Sequence, residues 1–436
     1  MGAGAGCTGV IIWGALRWLL RAVLITVFVI GASWPLFSPP ADQRGVWVTE
    51  GYGLALDVGR FGFSAFQVGD GYCLPYFRAP AHSLILGEAG GLSMARSGEV
   101  LVLTVEGVAN PITATQTTAL PATCTPPMPG TEATAQQTFD VFHTAMATHY
   151  PFFDLFGLAW AERATTVGTA PDALWQAMTA ALAGLNDPHT YVYDGARFYS
   201  AGTGPEWHDN IRAYTEVIRN RGLTGIPDTG IEYARLPDGI GYVFLRHTDT
   251  NPGLLTAPED IATSAFEQVS DALQGTRAVI IDNRLNPGGS DTVALAFARF
   301  FTAAPQLAFT KQTRTTGGYT APFEAVVNPI GSLTQPVYLL NSSFTASAAE
   351  VLTLALKDLP QVTVLGEPTR GAFSDIMDVR LPNGWMLGLS HQRYFGADGV
   401  QYETTGIAPD DATPFPWAAF DQGQDPQLDA LLARLR

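Results

Sequence analysis

Lysine and cysteine are scarce in this chain of 436 residues, and each shortage narrows the chemistry available to it. The only lysines are Lys311 and Lys357, so a mechanism that needs a lysine has just two candidates. The three cysteines, Cys7, Cys73 and Cys124, form no paired C-x-x-C motif, and the sequence also lacks an H-E-x-x-H or phosphate-loop motif. We therefore expect no metal, no nucleotide and no other cofactor.

Positive charge is also in short supply. Acidic residues outnumber basic ones by 40 to 24, which gives a formal net charge of −16. Such a chain would be repelled by a phosphate backbone, so we expect no nucleic-acid partner. With 47% hydrophobic and 15% charged residues the composition is that of a folded globule, and the length predicts two or three domains.

The most informative segment that is present spans residues 337–350. An apolar, strand-like run ends at Asn341, and a helical pattern begins at Ser347. A serine in the first turn of a helix lies beside N–H groups that have no intrahelical partner, at the positive end of the helix dipole. Those donors can stabilise an oxyanion, which makes Ser347 a candidate nucleophile. The alternative is that Ser347 only caps the helix, with Glu350 completing a capping box.

Three further segments carry residues suited to the same chemistry. A β-branched run from residue 278 ends in a Pro-Gly-Gly turn, whose Gly288 and Gly289 can present bare N–H groups to a bound molecule. His189 lies in the loop after an amphipathic helical stretch, and Glu403 lies in Tyr-Glu-Thr-Thr-Gly-Ile near the C-terminus. Taken singly, these are equally an ordinary turn, a loop histidine and a solvated carboxylate.

Taken in order, the four segments resemble peptidase family S41, the tail-specific and tricorn-type serine proteases. The resemblance also includes Gly-Glu-Pro-Thr-Arg-Gly at 366–371 and Leu-Pro-Asn-Gly at 381–384, and it covers about residues 135–415. It implies an α/β fold with a crotonase-like (ClpP-like) spiral core. It also implies a serine peptidase that cleaves peptide or protein substrates through an acyl-enzyme. A lipid- or retinoid-binding protein, or an esterase, on the same scaffold is the alternative.

The resemblance also distinguishes between possible bases. The tail-specific branch has a lysine directly after the Gly-Glu-x-Thr-x-Gly segment, and that position is Ala372 here. The other branch has a histidine after a helical segment and a glutamate near the C-terminus, which His189 and Glu403 match. Pro188 replaces the serine that often precedes this histidine, so it offers the site no side-chain donor.

For this branch the resemblance implies one role for each candidate residue. Ser347 is the nucleophile, His189 the general base and Glu403 the group that orients the base. The N–H groups of Gly289 and Ala348 form the oxyanion hole.

The N-terminus has the pattern of an export segment. Arg17 and Arg21 precede a charge-free apolar stretch at 22–33, which is typical of a signal peptide or of a membrane anchor. We therefore expect the rest of the chain outside the cytoplasm, periplasmic, extracellular or anchored at the membrane. Such a location permits a disulfide between Cys73 and Cys124, although both are equally compatible with buried thiols.

Composition and pattern divide the remaining chain into units. Short apolar runs broken by Gly and Asp predict a separate all-β domain, a barrel or a sandwich. The predicted divisions are a signal peptide or anchor at 1–40, the β domain at 41–125, a Pro-rich linker at 126–135, a helical segment with the base-carrying loop at 136–230, and an α/β catalytic core at 231–436. About 35 residues separate the base loop from the core, too few for an inserted PDZ domain.

Overall fold

The structure is a computed structural model that describes most of the chain. The described residues are 38–80, 91–124, 133–163, 166–202, 210–251, 256–331 and 333–436. The predicted signal peptide or anchor at 1–40 lies almost wholly outside them, as does most of the predicted linker. Within these ranges no helix has both the length and the apolar character needed to cross a membrane.

The first structural unit is a seven-stranded antiparallel sheet that lies within the range 41–125. Its spatial order is β4-β3-β2-β1-β7-β6-β5. Alternating apolar side chains from both halves of the sheet meet in one cluster around the fully buried Trp47. The strands are β1 Gly45–Thr49, β2 Leu54–Val58, β3 Gly62–Gly69, β4 Tyr72–Pro80, β5 Leu92–Ser97, β6 Val100–Val105 and β7 Ile112–Thr117.

This sheet is attached to its surroundings at several points. Cys73 in β4 forms a disulfide with Cys124. Tyr72 and Leu74 pack among the side chains of the following helices. Gln67 donates a hydrogen bond to the Asp378 carbonyl at 2.7 Å, far along the chain. The all-β unit predicted to be separate therefore packs directly on the rest of the protein.

The described part of the segment predicted to be helical at 136–230 contains three α-helices and also short strands that were not predicted. The helices are α1 Ala135–His149, α2 Ala173–Leu182 and α3 Ile211–Arg219. The strands β8 Tyr191–Tyr193 and β9 Phe198–Ser200 join β19 Ile376–Arg380 and β20 Met386–Ser390 in the order β19-β20-β8-β9. Because β8 begins two residues after His189, this pairing fixes the base loop to the C-terminal half of the chain.

The core is a mixed seven-stranded sheet in the order β10-β11-β12-β13-β17-β18-β22. The strands β10 to β12 are antiparallel, and β12 to β22 run parallel to one another. Its strands are β10 Thr224–Gly225, β11 Thr229–Leu236, β12 Ile240–Thr250, β13 Ala278–Asp282, β17 Val337–Asn341, β18 Val362–Gly366 and β22 Asp411–Ala412. A smaller sheet contains β14 Gln306–Thr315, β15 Gly318–Tyr319, β16 Phe323–Val327 and β21 Gln392–Gly396.

Helices cover both faces of the mixed sheet. One face packs against α4 Pro258–Leu273, α5 Asp291–Ala298 and α6 Ala348–Leu356. The other packs against α3 and against the C-terminal helices α7 Trp417–Phe420 and α8 Pro426–Arg434. This confirms the α/β class. The carboxyl ends of parallel strands in such sheets commonly carry ligand-binding loops, and the segments after β13 and β17 are two of them.

Candidate functional site

Ser347 adopts a backbone conformation that residues with a side chain rarely adopt. Its φ is +56° and its ψ is −130°, directly before the first residue of α6. For a residue with a Cβ this region costs on the order of 1–3 kcal/mol and persists only where the surroundings enforce it. Part of that enforcement is a hydrogen bond from the Ser347 N–H to the Ala372 carbonyl at 2.9 Å. Backbone strain at a turn from a strand to a helix exposes the nucleophilic serine of α/β-hydrolases.

Glu350 holds the same turn from inside the protein. Its carboxylate accepts hydrogen bonds from the N–H groups of Ser347 at 3.2 Å, Gly371 at 2.7 Å and Ala372 at 2.8 Å. Burial raises the pKa of Glu350 to about 7, although these N–H donors and the Thr369 side chain oppose the rise. The bond to Ser347 is the one expected of a capping box, but the carboxylate also binds two amides of a distant segment.

The Pro-Gly-Gly turn after β13 lies directly beside Ser347. A Cβ atom on Gly288 would be 2.5 Å from the Ser347 Cβ and 3.0 Å from the Ala348 nitrogen, so only glycine fits there. The Gly288 carbonyl accepts the Thr248 N–H at 2.8 Å. Because a trans peptide is planar, the Gly289 N–H on the same peptide points the opposite way, away from β12.

Neither of the two N–H groups predicted to form an oxyanion hole is used elsewhere in the described chain. The hydrogen bonds of the described residues leave the Gly289 and Ala348 N–H groups without an acceptor. The loops that carry them are joined by a bond from the Ala346 N–H to the Asn286 carbonyl at 3.2 Å and by one from the Thr345 hydroxyl to the Asn283 carbonyl at 2.8 Å. The two donors therefore lie on loops that are fixed to each other.

His189 is held by the residue two positions before it. The Asp187 carboxylate accepts the His189 N–H at 2.9 Å and the Thr190 hydroxyl at 2.8 Å. The ring Nδ1 is buried and has no hydrogen-bond partner among the described residues. Burial lowers the pKa of His189, with Asp187, Asp375 and the Ser374 carbonyl acting in the opposite direction. The imidazole is therefore neutral at neutral pH, as a general base must be.

Glu403 is buried, with only 5% of its surface exposed, but it is not hydrogen-bonded to His189. Its carboxylate accepts the Phe373 N–H at 3.1 Å. Burial raises the pKa of Glu403 well above its ordinary value, and the nearby Asp187 and Glu350 carboxylates add to the rise. The structure therefore places Glu403 in the protein interior without the direct contact to the imidazole.

The partners of the three candidate catalytic residues are consecutive in sequence. Residue 372 accepts the Ser347 N–H, residue 373 donates to Glu403, and the carbonyl of residue 374 acts on the His189 ring. Segment 371–375 thus supports all three residues, which come from distant parts of the chain. This arrangement gathers the predicted residues into one region of the molecule.

Neither lysine is suited to be a base. Lys311 Nζ is buried and contacts Asp375 at 2.8 Å, Tyr394 Oη at 2.8 Å and Asp291 at 3.1 Å. Burial by itself would lower the pKa of Lys311, but the two carboxylates outweigh it and raise the pKa. Lys357, paired with Asp398 and with its neighbour in sequence, also has a raised pKa despite partial burial. Both ammonium groups therefore stay protonated at neutral pH.

Sequence reasoning missed Asp187 as a neighbour of the base and assigned Glu350 only to a helix cap. The spacing Asp-Pro-His was visible, and a carboxylate two residues before a histidine often binds its backbone N–H. Within the described ranges no group of three His, Cys, Asp or Glu side chains is arranged to hold a metal ion.

Comparison with known proteins identifies a family similar to the part of the chain that carries Ser347. The profile of peptidase family S41 matches residues 239–413. A chloroplastic C-terminal processing peptidase of Tetradesmus obliquus is 31% identical over 189 residues, which is 42% of this chain and 38% of that protein. The carboxy-terminal processing protease CtpA of Bacillus subtilis is 27% identical over 216 residues, 48% of this chain and 44% of that one. The chain thus spans less than half the length of these relatives.

A solved structure supports the fold over a longer stretch. A protein of Parabacteroides merdae ATCC 43184, crystallised as a candidate peptidase, superposes with a TM-score of 0.58 at 23% identity. The match covers 70% of this chain and 97% of that one. At this identity the likeness establishes a shared fold.

Proposed function

Because residues 239–413 of this chain belong to peptidase family S41, we propose that the protein is a serine peptidase with Ser347 as nucleophile and His189 as general base. The observation that carries the proposal is the strained backbone of Ser347, at the start of α6 and in contact with Gly288. A serine that served only as a helix cap would have no need of a positive φ.

In the proposed reaction Ser347 Oγ attacks the scissile carbonyl carbon while His189 accepts the hydroxyl proton. The carbonyl oxygen becomes an oxyanion that receives hydrogen bonds from the Gly289 and Ala348 N–H groups, each contributing about 3–4 kcal/mol if it acts like measured donors. The imidazolium then protonates the leaving amine, and water activated by the same histidine releases the acyl group. Glycine at 288 is required because a side chain there would displace the nucleophile.

The role of Glu403 in this scheme is indirect. Its raised pKa and its bond to the Phe373 N–H favour a structural function, in which it fixes the segment that supports the nucleophile and the base. Asp187 is better placed to stabilise the imidazolium, since it binds the His189 backbone and acts electrostatically on the ring. The proposed orienting group is therefore Asp187 together with Glu403, rather than Glu403 alone.

The finer features of the proposal follow the same family. We propose a crotonase-like arrangement of the α/β core, peptide or protein substrates, and a location outside the cytoplasm, which the Cys73–Cys124 disulfide supports. A lipid-binding protein on this scaffold would have no use for a strained serine beside two unpaired N–H donors.

Labelling with a fluorophosphonate tests the assignment of the nucleophile. The wild-type protein should be labelled and should cleave unstructured protein substrates, whereas Ser347→Ala should lose labelling and at least about 1000-fold in kcat. Ser97→Ala, on the exposed edge strand β5, is the matched control and should behave as wild type. Labelling that persists in Ser347→Ala would overturn the assignment.

A further inference from the structure

A cavity of about 440 Å³ lies beside the nucleophile loop and differs in charge from the rest of this acidic chain. Arg212, Arg219 and Arg246 form one side of it, and apolar groups that include Pro287 and Phe344 form another. The chain has only 24 basic residues in total, so three arginines around one cavity are a notable concentration.

The cavity is close to the proposed reaction centre. Phe344 precedes Ser347 by three residues on the same loop, and Pro287 immediately precedes Gly288, which contacts the Ser347 side chain. A peptide with its scissile carbonyl at Ser347 therefore passes within one or two residues of this cavity, given a spacing of about 3.3 Å per extended residue.

The three arginines are not equally neutralised. Arg219 is bound by Glu232 at 2.6 Å and by Glu216 at 2.9 Å. Arg246 has only a long contact of 3.9 Å with Glu232, and its Nε is buried without a hydrogen-bond partner in the described structure. Arg212 forms no ion pair with any described residue.

Two other titratable groups adjoin this wall. Burial lowers the pKa of His247, which leaves the imidazole neutral at neutral pH. Burial raises the pKa of Asp249, which lies next to Gly289, although His247 opposes that rise. Arg212 and Arg246 therefore bring positive charge to a cavity that is also lined by the apolar residues Leu285, Pro287 and Phe344.

We propose that this cavity is a specificity subsite that binds a carboxylate of the peptide substrate close to the scissile bond, through Arg246 and Arg212. The apolar residues that line the cavity can pack against the methylene groups of an acidic side chain. The guanidinium groups supply charge-assisted hydrogen bonds to its carboxylate. This inference rests on the proposed peptidase function and defines its substrate class as peptides with an acidic residue near the cleavage point.

Cleavage-site profiling tests the subsite. Full-length wild type, Arg246→Gln and Arg212→Gln would each digest a proteome-derived peptide library, with Arg60→Gln, in the exposed turn between β2 and β3, as the charge-matched control. Wild type and Arg60→Gln should enrich Asp and Glu at one position. Matched peptides with Glu or Gln there should differ about tenfold in kcat/KM, and Arg246→Gln should reduce that ratio to near one.

The arms of the experiment identify the source of the carboxylate and separate the two proposals. Loss of the preference on Glu-to-Gln exchange is the result that supports the subsite, whereas loss only on C-terminal amidation would overturn it by assigning recognition to the free end of the peptide. Cleavage that depends on Ser347 but ignores both changes would overturn the subsite and leave the peptidase intact. If no peptide is cleaved, fluorescence anisotropy can still measure how tightly the protein binds fluorescein-labelled peptides with Glu or Gln at this position. Tighter binding of the Glu peptide would support the subsite, and equal affinities would refute it.

Discussion

The two seven-stranded sheets of this protein differ in how their strands are ordered, and the difference accounts for where the chemistry lies. In the antiparallel sheet, strands β1 to β4 are neighbours in sequence and in space, as are β5 to β7. Two of its turns also contact the rest of the protein, since the Gly107 carbonyl accepts the Ser290 hydroxyl at 3.0 Å and the Gly51 carbonyl lies 3.1 Å from His149 Nδ1. In the mixed sheet, the parallel strands β13 and β17 lie side by side although residues 283–336 separate them. Parallel pairing needs long crossovers, and these bring distant loops to one edge.

The proposed nucleophile and oxyanion hole depend on that second arrangement, whereas His189 comes from the loop before β8 in another sheet. The glycine turn follows β13, the nucleophile follows β17, and the segment that supports both follows β18. The antiparallel sheet contributes none of the proposed catalytic residues. We therefore expect substitutions in the antiparallel sheet to change stability, and substitutions near the parallel strand ends to change turnover.

Trp47→Ala is the sharpest way to break this comparison from the side of the antiparallel sheet. Trp47 is fully buried, and its Nε1–H donates to the Gln43 carbonyl at 2.8 Å. Removing the indole should cost about 3–5 kcal/mol of stability while kcat per folded molecule stays unchanged. Denaturant unfolding combined with active-site titration measures both quantities. Trp175→Ala, at a partly buried position on α2, is the control and should lower the free energy of unfolding by less. A large fall in kcat for Trp47→Ala would show that the sheet takes part in catalysis.

Glu350→Gln should have the next largest effect, this time on turnover. One Glu350 carboxylate oxygen accepts two backbone N–H groups and the other accepts a third. The side-chain amide of glutamine would therefore place its NH₂ group against a backbone N–H donor whichever way it is turned. With the Ser347 turn less firmly held, we expect kcat to fall by about 30-fold with KM little changed. Glu367→Gln, on a partly buried carboxylate that accepts the Ser343 and Phe415 N–H groups, is a control for the loss of a carboxylate that binds backbone amides.

The pH dependence of the same group has a definite sign. The folded-state pKa of Glu350 is about 7, above the unfolded value near 4.3, so its contribution to stability is full below pH 4.3 and is lost as pH rises through 7. The ionised form is the better acceptor for the Ser347 turn, so activity should rise over this interval. Burial lowers the pKa of His189 below its ordinary value, so an activity step near pH 7 that vanishes in Glu350→Gln belongs to the carboxyl group. A step that survives in Glu350→Gln would contradict this.

Local pattern was enough to predict that Ser347 lies at the start of a helix, that Gly288 lies in a tight turn and that a buried strand precedes each of them. In both places a strand, a turn and a helix follow one another in sequence. The strands β8 and β9 were missed because three residues are too few to show a period of two. The hydrogen-bond partner of Glu403 could not be predicted, since it depends on the path of segment 371–375 through the core. Such a path is a property of tertiary packing and leaves no periodic signal in the sequence.

The last prediction concerns the boundary between the two sheets, where two buried histidines meet the loop Gly51–Tyr52. His149 Nδ1 lies 3.1 Å from the Gly51 carbonyl, and the His391 ring packs edge-on against Tyr52 at 5.1 Å. Burial lowers the pKa of both histidines to about 4. Both are therefore neutral in the folded protein, and their contribution to stability is complete above the unfolded pKa near 6.5.

As pH falls from 6.5 towards 4, unfolding gains protons at these two sites and the protein should lose stability. Each histidine accounts for up to about 3 kcal/mol over this interval, from a pKa difference of roughly 2.5 and about 1.4 kcal/mol per unit. In His391→Gln the side-chain amide can still donate to the Asp375 carbonyl that His391 Nδ1 contacts. This variant should therefore be somewhat less stable than wild type at pH 8 and should lose less stability on acidification. Unfolding free energies at pH 8, 6 and 5 measure the two slopes. Equal slopes would mean that the boundary between the sheets does not respond to protonation of His391, and that the acid response comes from other titrating groups.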